Sequence, residues 1–288
     1  LIELYNRLEK TLDNNRSQAQ IKRHAKGNRT ARENLSDLID ENSFIEFGQL
    51  AVAAQRNRRD YEELQNATAA DGVLTGLCTI NEVDLGPSNA HAIAIINDYS
   101  VLAGTQGFFH HKKLDRMLEL AGKYLLPVIM YTEGGGGRPG DTDVTTQIAG
   151  LNVTSFASWA RLKGKVPRIS VNNGYCFAGN AALFGSADFC IATKNSWIGM
   201  AGPAMIEGGG LGIFKPNEIG PSESQERNGV IDFVANDEEH ATQIAQNLLS
   251  YFQGKTKKWT TLDQQDLLKS IPENRRMGYP VRKIIKTI

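Results

Sequence analysis

One stretch constrains the fold more than any other: residues 171–184, VNNGYCFAGNAALF, which follow the β-branched run VPRISV. The run predicts a strand, and AALF predicts the start of a helix. Between them lie Gly174 and Gly179, the small Ala178, and two turn-tolerant asparagines, Asn173 and Asn180. A strand that ends in small residues and resumes as a helix leaves backbone N–H groups unpaired and facing outward. Such donors can hold a developing negative oxygen. For a carbonyl that becomes an enolate, two of them are the main apparatus a protein must supply.

The remaining chain alternates helices and strands. Residues 1–23 place Ile2, Leu4, Leu8 and Leu12 on one side of a helix, and residues 30–39 form a second, with Thr30 and Glu33 at capping-box spacing. The charged run NRRDYEE, 57–63, reads as an exposed linker or surface loop. GVLTGLCTI (72–80) and AHAIAII (90–96) predict two paired strands. Gly104, Gln106 and Gly107 then introduce a helix over 108–123, and residues 127–131 form a short buried strand. Asp141, Thr142 and Asp143 are placed to cap a helix running to residue 162, with Trp159 in the core. Strands follow at 187–193 and 196–200, then a glycine-rich apolar segment, 202–220, that either lines a pocket or covers the sheet edge. A helix over 236–252 precedes a polar, basic tail broken by Pro272 and Pro280. Short strands alternating with helices imply an α/β core with parallel pairing.

A second glycine cluster lies in EGGGGRPGD, where Gly134, Gly135, Gly136 and Gly137 let the backbone approach a ligand. No GK[ST] follows, and GxGxxG spacing with a downstream acid is absent, so the standard phosphate loops are not supported. Turns at the carboxyl ends of neighbouring parallel strands can face one ligand, which would bring the two clusters together. His110, His111, Lys112 and Lys113 gather positive charge at the start of a helix, against its dipole, and suggest a nearby anion; a solvated basic turn is the plainer alternative. Side-chain catalysts are scarce. Glu133, Asp141, Asp143 and Glu207 lack clear partners and read as caps or anchors, no GxSxG elbow exists, and no His spacing fits a metal.

Charge excludes some partners. The chain has 288 residues with 32 basic and 32 acidic side chains, leaving no global field for nucleic acid or an anionic membrane. The 3 cysteines, Cys78, Cys176 and Cys190, form no metal or disulfide pattern and point to a reducing, cytoplasmic setting; Cys176 reads as a buried hydrophobe. No apolar run is long enough to span a bilayer. Leu1 at the start, and the absence of an obvious stop at Ile288, suggest a piece of a longer polypeptide.

Taken in order, AGTQGFFHHKKLDRMLELA, EGGGGRPGD, NGYCFAGNAALFGSADF and GPAMIEGGGLG resemble the carboxyltransferase component of biotin-dependent acyl-CoA carboxylases. TARENLSDLIDENSFIEFG upstream and NGVIDFVANDEEHATQIAQNLLSYFQG downstream fit in the same order. That family belongs to the crotonase superfamily, so the resemblance implies an α/β, crotonase-like spiral of ββα units, carrying an N-terminal helical extension (1–60) on a CoA-binding domain (61–288). Family members usually hold two such halves, and this chain matches the first.

The resemblance implies transfer of a carboxyl group from carboxybiotin, tethered to a carrier, to the α-carbon of an acyl-CoA through an enolate. The biotin ureido nitrogen would take the α-proton, which suits a chain without an obvious base. Gly179 and Asn180 occupy the oxyanion positions by their backbone amides; Gly135, Gly136, Gly137 and Ala178 fall beside the acyl group, and Lys112 and Lys113 would suit the CoA phosphates. Asn180 stands where many members have glycine. Implied partners are the biotin carboxyl carrier and biotin carboxylase, with homo-oligomer assembly, and a half alone is expected to be inactive. Two other readings are an enoyl-CoA hydratase or isomerase of the same superfamily, and a non-catalytic CoA-binding or assembly module.

Overall fold

The computed structural model describes residues 1–144, 153–255 and 260–288. It divides into two compact units, Leu1–Gly254 and Lys255–Ile288. In the first, α1 (Ile2–Glu9) and α2 (Ser17–His24) replace the single helix expected over 1–23. The break falls at Asp13-Asn14-Asn15, whose short side chains compete with helical hydrogen bonding. Helix α3 (Ala31–Leu38) starts at the expected capping box: Glu33 N donates to Thr30 Oγ1 at 3.1 Å and Thr30 N to Glu33 Oε2 at 2.7 Å. Then come β1 (Ile45–Glu46), α4 (Tyr61–Ala67), β2 (Val73–Thr79), the single turns α5 (Glu82–Leu85) and α6 (Pro87–Ala90), and β3 (His91–Asn97).

Helix α7 (Phe108–Tyr124) and β4 (Val128–Tyr131) match their expected positions, followed by α8 (Ser155–Arg161) and β5 (Arg168–Asn172). The helix expected from 141 to 162 is seen only as α8, and residues 145–152 of it lie outside the described residues. A three-residue strand not foreseen, β6 (Tyr175–Phe177), comes before α9 (Gly179–Gly185). The unit ends with β7 (Phe189–Thr193), β8 (Trp197–Gly199), α10 (Pro203–Gly208), α11 (Ser222–Arg227), β9 (Phe233–Ala235) and α12 (Glu238–Ser250). The second unit holds α13 (Val281–Thr287), whose Thr287 carbonyl accepts from Gln264 Nε2 at 2.6 Å.

Seven strands form one sheet in the order β1-β2-β3-β4-β5-β7-β9. The β2–β3 pair is antiparallel, as its hairpin pattern predicts, and β3, β4, β5, β7 and β9 run parallel. Strands β6 and β8 leave this sheet and pair with each other in parallel. Successive strand residues face opposite sides. Ile96, Ile129, Tyr131, Val171 and Ile191 therefore pack with Leu35 and Leu38 of α3 and Ala241 and Ala245 of α12. Ile93, Ile95, Val128 and Met130 pack instead with Leu114, Met117 and Leu118 of α7 and Trp159 of α8. Burial on both faces explains why β3 and β4 read as nearly continuous apolar runs rather than alternating ones.

Candidate active site

Parallel pairing of β3, β4 and β5 sets their carboxyl ends side by side, so the loops that follow them meet. Gly135 N donates to Ala103 O at 3.0 Å, joining the loop after β4 to the loop after β3. Gln106 N donates to Gly136 O at 2.8 Å and Arg138 N to Gln106 O at 2.9 Å, which extends that seam. On the other side, Gly134 N donates to Tyr175 O at 2.7 Å and Phe177 N to Gly134 O at 2.9 Å, which ties the glycine loop to β6. The two glycine clusters singled out in the sequence thus form one junction.

Small residues are required where these turns touch. A Cβ on Gly136, whose φ is +91°, would lie 2.8 Å from Ala178 Cβ. Ala178 itself sits at φ 50°, a region that L residues avoid, immediately before α9. The kink is held on one side by Ala178 N donating to Gly199 O at 3.0 Å. Beyond it, the amides of Gly179 and Asn180 donate to no acceptor among the described residues. Gly179 is partly exposed, whereas Asn180 is completely buried, so the Gly179 amide is the one nearer open space.

Asn180 contributes a side chain here. Its Oδ1 accepts from Gly136 N at 2.9 Å, and its Nδ2 donates to Thr132 O at 3.2 Å and Gly104 O at 3.4 Å. One carboxamide thus holds the loops after β3 and β4 against the start of α9. A glycine at this position could hold neither. Sequence analysis marked Asn180 only as a departure from glycine, because the partner carbonyls lie 48 and 76 residues away.

The expected cationic cluster does not form at the surface. His110, His111 and Lys113 lie on the buried face of α7, and only Lys112 of the four is exposed. Lys113 Nζ donates to Ala70 O at 2.8 Å and to Val73 O, and burial pushes its pKa down to about 8. It anchors β2 and cannot reach a ligand phosphate. Burial also lowers His111 to about 4 and His110 well below the ordinary histidine range, so both rings are neutral. Lys112 instead sits over the Phe108 ring, 5.4 Å from its centroid.

Three of the four carboxylates near glycine, Glu133, Asp141 and Asp143, are anchors, though not always of the expected partners, whereas Glu207 is exposed on α10 and its carboxylate bonds to no group among the described residues. Asp141 accepts from Phe108 N at 2.8 Å and Gln55 Nε2 at 3.0 Å, so it caps α7 and not the following helix. Asp143 accepts from Arg56 N at 2.7 Å and Asn57 N at 2.9 Å. Glu133 is buried in a two-pronged pair with Arg23 of α2, at 2.9 and 2.8 Å. Cys176 is fully buried, and burial pushes its thiol up to about 12, far from a reactive thiolate.

A cavity of about 790 Å³ adjoins the junction, with Glu133, Gly174 and Tyr175 in its wall. Arg16, Lys22, Arg23 and Lys26 line it together with Tyr99 and Trp197. The Tyr175 and Trp197 rings stack 4.9 Å apart, so the cavity's lining combines aromatic faces with cationic side chains from the N-terminal segment. Sequence patterning did not identify this surface, since its residues come from six separate stretches.

The chain is thus an α/β protein built on a mostly parallel sheet, whose strand-end loops converge on main-chain amides that have no acceptor among the described residues. Residues 22–288 match the carboxyl transferase domain, and the chain belongs to that family. It is 30% identical to the methylmalonyl-CoA carboxyltransferase 12S subunit of Propionibacterium freudenreichii subsp. shermanii, over 93% of this chain and 50% of that one. It is 27% identical to the propionyl-CoA carboxylase beta chain of Saccharopolyspora erythraea, over 87% of this chain and 44% of the relative. The chain therefore spans about half the length of the curated relatives it matches. Among solved structures, a single-chain, multi-domain long-chain acyl-CoA carboxylase superposes with a TM-score of 0.92 at 50% identity, covering 99% of this chain and 28% of that one. The transcarboxylase 12S structure with methylmalonyl-CoA bound gives 0.75 at 28% identity, covering 93% of this chain and 51% of the other. The fold is the crotonase-like fold of these carboxyltransferases.

Proposed function

We propose that this chain is the acyl-CoA-binding half of a biotin-dependent carboxyltransferase, in which the thioester oxygen is held at the Gly179 amide while its α-carbon becomes an enolate. The observation that carries this reading is the convergence of three strand-end loops on an amide with no acceptor among the described residues. In a partly dry site, a fixed donor of this kind stabilises charge that develops in the transition state and needs no reorganisation at that moment. Asn180, in this reading, keeps the turn rigid from behind, and Gly135 and Gly137 leave the acyl side open.

A base must come from elsewhere. Glu133 is paired with Arg23, Asp141 and Asp143 are bonded to main-chain amides, and residues 145–152 contain no carboxylate. Carboxybiotin delivered by a carrier partner would supply both the carboxyl group and, at its ureido nitrogen, the acceptor for the α-proton. A hydratase or isomerase needs a free carboxylate at the junction, and the engagement of Glu133, Asp141 and Asp143 speaks against that reading. The cavity beside Glu133 suits the nucleotide end of coenzyme A: an aromatic wall for the base, and Lys22 and Lys26 for phosphates. Carrier and carboxylase subunits, and a second carboxyltransferase half, are the partners this reading requires.

Gly179→Val in the complete enzyme tests it. A Cβ there would meet Gln106 Oε1 at 2.3 Å and Phe156 Cζ at 3.2 Å, so either the turn or the side chains packed on it must shift. Carboxyl transfer should fall on the order of 10²-fold, the loss seen when an oxyanion donor is removed, with assembly unchanged. Unaltered turnover would reject the site, and α-proton exchange in acyl-CoA that proceeds without biotin would favour the hydratase-like alternative.

A further inference from the structure

We infer that the Gln106 carboxamide is a second, side-chain donor to the acyl oxygen, a catalytic residue beside the Gly179 amide; this rests on the carboxyltransferase reading. Gln106 lies in the loop between β3 and α7, and its backbone is clamped on both sides by the glycine loop, to Gly136 O at 2.8 Å and from Arg138 N at 2.9 Å. The residue is only 4% exposed. Its side chain runs to Gly179: the nearest atom to a Cβ built there is Gln106 Oε1 at 2.3 Å, with Cδ at 3.3 Å. Its amino group has no hydrogen-bond partner among the described residues. A buried donor left unpaired is destabilising, and such groups in a native structure commonly mark a ligand's place.

Two features make this carboxamide suited to an oxyanion. Rotation about the last side-chain bond exchanges Oε1 and Nε2 in place, so the amino group can occupy the position that faces Gly179. A neutral amide also donates without adding a proton equilibrium. The Phe156 ring meets the same point beside Gly179 at 3.2 Å and sets an apolar neighbour next to the carboxamide. With the Asn180 side chain engaged with Gly136, Thr132 and Gly104, Gln106 is the side-chain amide beside Gly179 that is left to donate to the acyl oxygen.

Gln106→Leu and the unbranched Gln106→Met, made in the complete enzyme, remove the donor and keep most of the volume. The expected result is a fall in kcat of roughly 10–100-fold with KM for acyl-CoA changed less than about twofold, a split that marks an interaction made in the transition state. An equilibrium measurement gives a second readout. Wild type should bind an acyl-CoA thioester more tightly than the thioether analogue that lacks the carbonyl oxygen, and both variants should lose that preference. Wild-type kcat in a folded variant, or equal weakening of thioester and thioether, would overturn the role of Gln106. If wild type itself shows no biotin-dependent transfer, the enclosing reading fails instead.

Discussion

At the scale of single residues, the junction depends on Asn180 more than on its glycines. Its carboxamide satisfies one donor and two acceptors on the loops after β3 and β4. Asn180→Gly would strand Gly136 N inside the protein, and leaving a buried donor unmade costs about 1–3 kcal/mol. Denaturant unfolding should show a loss in that range. Asn180→Asp should keep the bond from Gly136 N but set a carboxylate against the Thr132 and Gly104 carbonyls, so it should unfold at least as easily. Stability equal to wild type in both variants would show that the staple carries no weight.

At the scale of elements, α7 is the clearest case of a helix whose polar residues face inward. His111 Nδ1 lies 3.0 Å from Ser155 Oγ of α8, within the α7–α8 packing. Burial lowers its pKa from 6.5 to about 4, with Arg138 and Lys112 adding to the shift and Asp115 opposing it. Above pH 6.5 the ring is neutral folded or unfolded, so its contribution is fully present. As pH falls from 6.5 towards 4, the unfolded chain takes up a proton that the folded one refuses, and stability declines by about 3 kcal/mol before levelling off. Thermal unfolding followed across this window should show that decline, and His111→Gln should flatten it.

The N-terminal helices belong to the same argument. Arg23 of α2 reaches Glu133 at the head of the glycine loop, and Arg16 reaches Asp98 at 2.6 Å after β3. Burial raises the Glu133 carboxyl while Arg23 opposes the rise. Removing only Arg23 leaves an unpaired buried acid, at a cost of about 3–5 kcal/mol. Arg23→Met should therefore unfold far more easily than wild type, and the double variant with Glu133→Gln should recover much of the loss. No recovery in the double variant would mean that the guanidinium packs for other reasons, such as its place over the Tyr99 ring at 5.8 Å.

For the molecule as a whole, the cavity and the strand-end junction share the segment around Glu133 and Tyr175. If that cavity takes the phosphates of coenzyme A, Lys22→Glu with Lys26→Glu should raise KM for acyl-CoA about tenfold or more and leave kcat near wild type. An unchanged KM would place the nucleotide elsewhere. Lys112, the one exposed member of the expected basic turn, serves as the control, since its ammonium rests on Phe108.

What the chain's residues determine by themselves is local: apolar runs for buried strands, a capping box for α3, small residues at 134–137 and 178–179, and the family motifs in order. These features depend on neighbours a few positions apart, which is why the α/β alternation and the strand–turn–helix site could be read directly. Tertiary structure decided which side chains meet at the junction. Asn180 and Gln106 meet the glycine loop through parallel strand pairing and Arg23 meets Glu133 through the docking of α2, and these separations leave no periodic trace. The fate of His110, His111 and Lys113 was also decided there, because whether a charged turn of a helix faces water depends on what packs against it.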